Sequence, residues 1–222
     1  RDLNIAEDFI REKFSKKPEI AEANIKVVRA GYDYGHNTHA SVAHTYKIES
    51  KAAVPGKYMD ITGNKATAYG FIAAAEKAGL KLYLGSYPIT PATDVLHELS
   101  KHKSLGVTTV QCEDEIAGCA SAIGASYAGA LAVTSTSGPG ICLKSEAMNL
   151  AVIMELPLVV LDVQRGGPAT GLPTKSEQTD LLQVLFGRNG ESPMPVIAAT
   201  SPTDCFDSAY MAAKIALEHM TP

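Results

Sequence analysis

The stretch Ala130-Leu131-Ala132-Val133-Thr134-Ser135-Thr136-Ser137-Gly138-Pro139-Gly140 decides how this chain folds. Its apolar and β-branched first half reads as a buried strand near 130–136. The Ser-Gly-Pro-Gly that follows turns the chain into a helix near 141–154, because glycines around a proline permit a tight reversal. Amides aimed outward at such a turn suit an anion. The turn lacks the lysine of a phosphate-binding loop, however, so a plain strand-to-helix connection explains it better.

Working outward, the same rhythm recurs. Apolar strands are predicted near 80–86, 107–112, 157–164 and 194–199, and helices near 65–79, 92–103, 115–128, 176–187 and 203–219. Five short strands alternating with helices predict an α/β fold, a doubly wound parallel sheet covered on both faces. Ser201-Pro202-Thr203-Asp204 supplies a cap, a first-turn proline and an acid at the third position. In such a sheet ligands gather at the carboxyl ends of the strands, which selects the loops at 87–91, 112–115, 136–140 and 164–177.

The first 62 residues have another texture. Leu3, Ala6, Phe9, Ile10 and Phe14 recur at helical spacing, and Pro18 opens a second helix with Ile20, Ala23 and Val27 inward and a stop at Gly31. Residues 31–62 show no sustained period and read as a linker or interface arm. The division expected is therefore 1–62, a mainly helical and irregular segment, and 63–222, the α/β domain. The chain begins with Arg and stops after an apparent helix, at Thr221-Pro222, so it reads as a piece of something longer.

Composition narrows the function classes. A formal charge of −4 over 222 residues gives no electrostatic reason to expect nucleic acid or an anionic membrane as partner. No apolar run approaches the roughly 18 residues of a membrane span. Cys112, Cys119, Cys142 and Cys205 are scattered, which suits free thiols in a reducing cytoplasm rather than disulfides or an iron–sulfur site. His36, His39 and His44 match no familiar zinc spacing and have no cysteine nearby. They read as ordinary loop histidines.

The chemistry concentrates at Gln111-Cys112-Glu113-Asp114-Glu115, where a strand meets a helix. Three acids there also suit a solvated helix start. But the helix beyond Glu115 is Ile-Ala-Gly-Cys-Ala-Ser-Ala-Ile-Gly-Ala-Ser-Tyr-Ala-Gly, with little side chain to fill a core and room for close backbone approach. A carboxylate at the head of such a helix sits in a tight, partly dry interface, where its pKa would rise.

Glu115 lies nine residues before Gly124; then come the strand Leu131–Thr136, Ser137-Gly138-Pro139-Gly140, a helix, and Glu155-Leu156-Pro157-Leu158-Val159-Val160. This order is similar to the pyrimidine-binding domain of thiamine diphosphate enzymes. Tyr87-Pro88-Ile89-Thr90-Pro91 and Gln164-Arg165-Gly166-Gly167-Pro168-Ala169-Thr170-Gly171-Leu172-Pro173-Thr174 resemble the alpha subunit of 2-oxoacid:ferredoxin oxidoreductases. Residues 1–40 resemble the end of a gamma domain, and gamma fused ahead of alpha is an arrangement of the 2-oxoglutarate enzymes.

The resemblance implies a cofactor, thiamine diphosphate, and a catalytic and cofactor-binding role for Glu115 at the aminopyrimidine ring. A carboxyl that shares a proton with a ring nitrogen is well served by a dry site. It implies substrate-binding roles for Thr90, through its hydroxyl, and Arg165, whose planar fork suits a carboxylate. Thr90-Pro91 also reads as a helix cap with a first-turn proline. Arg165 also reads as a surface charge. In the loop Thr170–Gln178, Lys175 could meet a distal carboxylate or stay solvated.

No Gly-Asp-Gly occurs in the sequence. By resemblance, the beta subunit supplies Mg2+ for the diphosphate and an iron–sulfur cluster, and this chain is not an enzyme by itself. The implied assembly, expected to be a dimer of heteromers, decarboxylates a 2-oxoacid, 2-oxoglutarate foremost, to its acyl-coenzyme A and reduces ferredoxin. A non-redox thiamine diphosphate decarboxylase or synthase, and a non-catalytic flavodoxin-like module, remain the alternatives.

Overall fold

The computed structural model describes residues 3–38, 46 and 54–222. It divides into two compact units, residues 1–57 and 58–222.

In the first unit α1 (Leu3–Lys13) packs on α2 (Pro18–Thr38). The inward positions differ from those expected: Ala21 and Ile25 are buried, while Phe9, Ile20, Ala23 and Val27 are exposed. The most buried polar group is Glu7, held by Arg29 through two hydrogen bonds of 2.7 Å. Bonding to that guanidinium keeps the Glu7 carboxyl below its usual range. The Glu7–Arg29 pair thus joins the two helices alongside the buried Ala21 and Ile25. Nor does Gly31 end α2, which runs seven residues further to Thr38. A glycine costs a helix only about 1 kcal/mol, too little to stop it. His36 consequently lies on a helix, stacked on Tyr32 at 6.2 Å, and not in a loop. His39 and His44 lie outside the described residues.

The second unit is built on a parallel sheet of four strands, β1 (Leu82–Ser86), β2 (Val107–Gln111), β3 (Leu131–Thr136) and β4 (Leu158–Asp162), in the order β2-β1-β3-β4. Helices α3 (Gly63–Ala78), α4 (Thr93–Leu99) and α8 (Pro202–His219) contribute to one core with Leu82, Leu84, Leu131, Val133 and Val159. Helices α5 (Glu115–Tyr127) and α6 (Gly138–Ile153) form a second core with Ala132 and Leu158. Successive strand residues enter opposite cores, as a period of two requires when both faces are covered. The expected α/β class with a parallel sheet after a helical segment is thus what forms.

α5 approaches β1 unusually closely. A side chain on Gly85 would strike the carbonyl of Gly118 and the hydroxyl of Ser121. The small residues of α5 are thus used first against its own sheet.

Two expectations fail. Residues 194–199 form no fifth strand: Pro195 lacks an amide hydrogen, and Val196 and Ile197 remain well exposed. Both β4 and this segment line an apolar cleft of about 490 Å³. The helix expected over 176–187 shortens to α7 (Leu181–Phe186), because the chain before it is held in a loop, with the Lys175 carbonyl accepting from the amide of Gly166. Among the described residues no helix is long and apolar enough to cross a membrane.

Candidate functional site

The strand order places a crossover between β1 and β3, where connections leave in opposite directions. Their carboxyl ends are tied side chain to side chain. Ser86 Oγ and Ser135 Oγ lie 2.6 Å apart, and Tyr87 Oη and Thr136 Oγ1 lie 2.8 Å apart. All four residues are buried.

Glu115 joins this point from α5. The three acids preceding and opening the helix have separate tasks. Glu113 is exposed, Asp114 caps by accepting from the amide of Ala117 at 2.8 Å, and Glu115 is the half-buried first residue. The cap fixes the first turn and with it the direction in which Glu115 leaves the backbone.

Gly140 shows how tightly the groups converge. A Cβ placed there would lie 2.8 Å from Glu115 Cγ and would overlap both Thr136 Oγ1 and Tyr87 Oη. Three side chains from three elements therefore meet on one bare backbone position. Burial pushes the Tyr87 phenol well above its usual range, the Thr136 bond lowers it, and the Glu115 carboxylate raises it further. Tyr87 thus stays protonated at physiological pH.

The Ser-Gly-Pro-Gly turn has its interior packed: Ser137, Gly138 and Gly140 are buried, and Gly138 faces Asp180. The turn serves as a strand-to-helix connection that brings α6 beneath Glu115.

Thr90 and Arg165 are brought together. Arg165 is buried, and its Nη1 and Nη2 donate at 2.7 Å to the carbonyls of Thr90 and Thr170. Its Nε is buried without a partner. It is no surface charge. Thr90 is exposed and is not a helix cap, since α4 starts at Thr93, whose hydroxyl bonds to Ile89 instead. Lys175 is exposed.

Sequence reasoning missed three features. Lys144 is fully buried, its Nζ donating to Thr134 Oγ1 at 2.7 Å and to the Glu115 carbonyl at 3.1 Å. The signal was present: Ile141, Lys144, Met148 and Ala151 occupy one helical face, so the lysine stands at a core position. Tyr87 and Thr136 each lie at the carboxyl end of a strand, where the fold rule points. The third is Asp162 with Asp180. Burial, reinforced by the Asp180 carboxyl, pushes Asp162 up to about 8, and Gln164 Nε2 donates to Asp180 Oδ1 at 2.6 Å. Asp162 Oδ1 and Asp180 Oδ2 are buried acceptors with no donor, which one proton held between them satisfies.

An acid at the crossover of a parallel sheet, backed by a buried phenol and framed by a glycine, stands where ligands gather in α/β domains of this class. Comparison with known proteins makes the class specific. The model for pyruvate flavodoxin/ferredoxin oxidoreductase, thiamine diphosphate-binding, matches residues 73–222. The chain belongs to this family of thiamine diphosphate-binding domains.

It is 60% identical over 222 residues to the 2-oxoglutarate oxidoreductase subunit KorA of Mycobacterium tuberculosis, covering all of this chain and 34% of that protein. It is 42% identical over 163 residues to the 2-oxoglutarate synthase subunit KorA of Archaeoglobus fulgidus, covering 73% of this chain and 46% of the relative. A solved structure of 2-oxoglutarate:ferredoxin oxidoreductase from Magnetococcus marinus, with 2-oxoglutarate, coenzyme A and succinyl-CoA bound, superposes with a TM-score of 0.77 at 37% identity. That match covers 99% of this chain and 37% of the other. The chain therefore spans about a third of the length of two of these relatives and under half of the third.

The residues present fit the aminopyrimidine half of thiamine diphosphate. Glu115 offers a half-buried carboxyl at the crossover, and the missing side chain at Gly140 lets Tyr87 and Thr136 close in behind it.

Proposed function

We propose that this chain is part of the alpha subunit of a 2-oxoglutarate:ferredoxin oxidoreductase, which converts the oxoacid and coenzyme A to acyl-coenzyme A and reduces ferredoxin. The observation that carries this reading is the convergence of Glu115, Tyr87 and Thr136 on Gly140 within a thiamine diphosphate-binding domain. The 60% identity over the whole chain to a 2-oxoglutarate oxidoreductase subunit supports the substrate.

Thiamine diphosphate supplies the electron sink for decarboxylation. In this reading Glu115 binds the cofactor and acts in catalysis, holding a proton against the N1′ nitrogen of the aminopyrimidine. The buried phenol of Tyr87 keeps water from that carboxyl. Thr90 and Arg165 bind substrate: the exposed hydroxyl of Thr90 meets the oxoacid carbonyl, and the unpartnered Nε–H of Arg165 is a donor for its carboxylate. The bond from Arg165 to the Thr90 carbonyl ties the two residues together.

By the family resemblance, a beta subunit supplies Mg2+ for the diphosphate together with an iron–sulfur cluster. Residues 1–62 are read as the end of a gamma-like domain with its linker, fused ahead of the alpha domain at 63–222. The assembly is a cytoplasmic dimer of heteromers, a location supported by the free cysteines Cys112, Cys119, Cys142 and Cys205.

The test is coenzyme A-dependent reduction of a low-potential dye by the intact complex, with and without thiamine diphosphate, against a panel of 2-oxoacids. The highest kcat/KM is expected with 2-oxoglutarate. Preference for another oxoacid would overturn the substrate. Turnover that ignores thiamine diphosphate would overturn the reaction.

A further inference from the structure

Lys144 is costly where it stands. Its side chain is fully buried on a helix face otherwise made of Ile141, Met148 and Ala151. A methionine of similar length would fill the same space without removing an ammonium from water, and such replacements of buried charge are often neutral or stabilising. Packing therefore does not explain the lysine.

Its contacts do. Nζ bridges Thr134 on β3 and the backbone carbonyl of Glu115 at the head of α5, at 2.7 and 3.1 Å, and stands 5.4 Å from the centre of the Tyr87 ring. The ammonium thus sits under the point where Glu115, Tyr87 and Thr136 converge. The titratable groups around it are Glu115, Asp114 and Cys119 from α5, Cys112 beyond β2, and Tyr87 beyond β1. Asp114 already caps the helix, and burial pushes the Cys119 thiol up, so that it stays neutral. Of the two carboxylates, Glu115 acts more strongly on the ammonium than Asp114.

We propose that Lys144 is a positioning residue for Glu115, tying the first peptide of α5 to β3 and keeping a positive charge beneath the carboxylate. This rests on the reading of Glu115 as the acid that serves the cofactor. Burial itself pushes the Lys144 pKa below its usual range, and the surrounding acids and thiols push it back up.

The experiment uses the intact complex carrying Lys144→Met, which removes charge and donors, or Lys144→Gln, which keeps a donor without the charge. Lys144→Met is expected to lower kcat at least ~10-fold while the KM for 2-oxoglutarate stays within about 2-fold, the pattern of a lost transition-state contribution. Both variants are expected to move the acid limb of the kcat/KM profile upward by about half a unit or more, because a carboxylate deprived of a nearby cation binds its proton more tightly. In a Glu115→Gln background Lys144→Met should cost less than about 2-fold, since residues that act as one unit are not additive.

An acid limb that stays in place, or a loss of equal size in the Glu115→Gln background, would overturn the proposal. Failure of both variants to assemble would overturn it too, in favour of a purely structural lysine. A slow Glu115→Gln with an unaffected Lys144→Met would remove Lys144 alone. A normal Glu115→Gln would remove the reading of Glu115 and this proposal with it.

Discussion

The guanidinium of Arg165 reaches back 75 residues to donate a hydrogen bond of 2.7 Å to the carbonyl of Thr90. One buried cation thus couples the loop after β4 to the loop after β1, the two loops proposed to hold the oxoacid. Lysine carries its three donors on one nitrogen and has no planar fork, so it cannot span the Thr90 and Thr170 carbonyls as Arg165 does while pointing a separate donor elsewhere. Arg165→Lys is expected to raise the KM for 2-oxoglutarate at least ~10-fold, the loss of one charge-assisted hydrogen bond. An unchanged KM in steady-state assays would remove Arg165 from substrate binding.

Thr90 contributes its carbonyl to Arg165 through the backbone, so its side chain can be altered without breaking that bond. Thr90→Val keeps the shape and removes the hydroxyl. The expected result is a 2-oxoglutarate KM raised by about 5- to 10-fold with an unchanged melting temperature, in line with one neutral hydrogen bond. A lower melting temperature with the same KM would instead mark Thr90 as structural.

Glu115→Gln keeps the side-chain volume and removes the titrating carboxyl. It should lower turnover at least ~100-fold, within the ordinary range for acid–base groups. Circular dichroism should be unchanged, since Asp114 and not Glu115 caps α5. Near-wild-type turnover would take Glu115 out of the chemistry.

Gly140→Ala tests the convergence directly. The added Cβ would overlap Thr136 Oγ1 and Tyr87 Oη and come within 2.8 Å of Glu115 Cγ. Overpacking of this kind costs about 1–3 kcal/mol. Both a lower melting temperature and reduced turnover are expected, whereas wild-type values for both would show that the three side chains need not meet there.

The pair Asp162 and Asp180 gives stability a pH dependence. Asp162, pushed up to about 8 in the folded chain, keeps a proton there that the unfolded chain has already released above pH ~4. Folding then binds a proton, so this pair's contribution falls as pH rises between those two values. Asp162→Asn imitates the protonated form. At pH 8 it is expected to raise the melting temperature by about 2 °C or more and to flatten the decline with pH. A melting temperature that tracks wild type at every pH would show that no proton is shared.

Much of the domain was legible from local pattern. Leu131–Thr136 and the turn behind it read correctly because the apolar Leu131-Ala132-Val133 opens a strand buried on both faces and glycine beside proline marks its end. The cap of α8 also read correctly, with Ser201 accepting from the amide of Asp204. The pattern at 194–199 misled because a strand needs a partner edge as well as an apolar run, and Pro195 removes a donor. The first unit misled because helical spacing alone named Ile20, Ala23 and Val27, whereas the pairing of the two helices buries Ala21 and Ile25 and bonds Glu7 to Arg29, 22 residues away.

The sequence by itself determined the α/β rhythm, the placement of Glu115 at a helix head, and the motifs around Thr90 and Arg165, because each depends on neighbours a few residues away. Only the tertiary structure decided that Tyr87, Thr136 and Glu115 meet at Gly140, that Arg165 lies buried against Thr90, and that Lys144 sits beneath Glu115. Three hydrogen bonds of this site join residues 29 to 75 positions apart. What brings them together is the crossover between β1 and β3, a property of strand order that no local spacing contains.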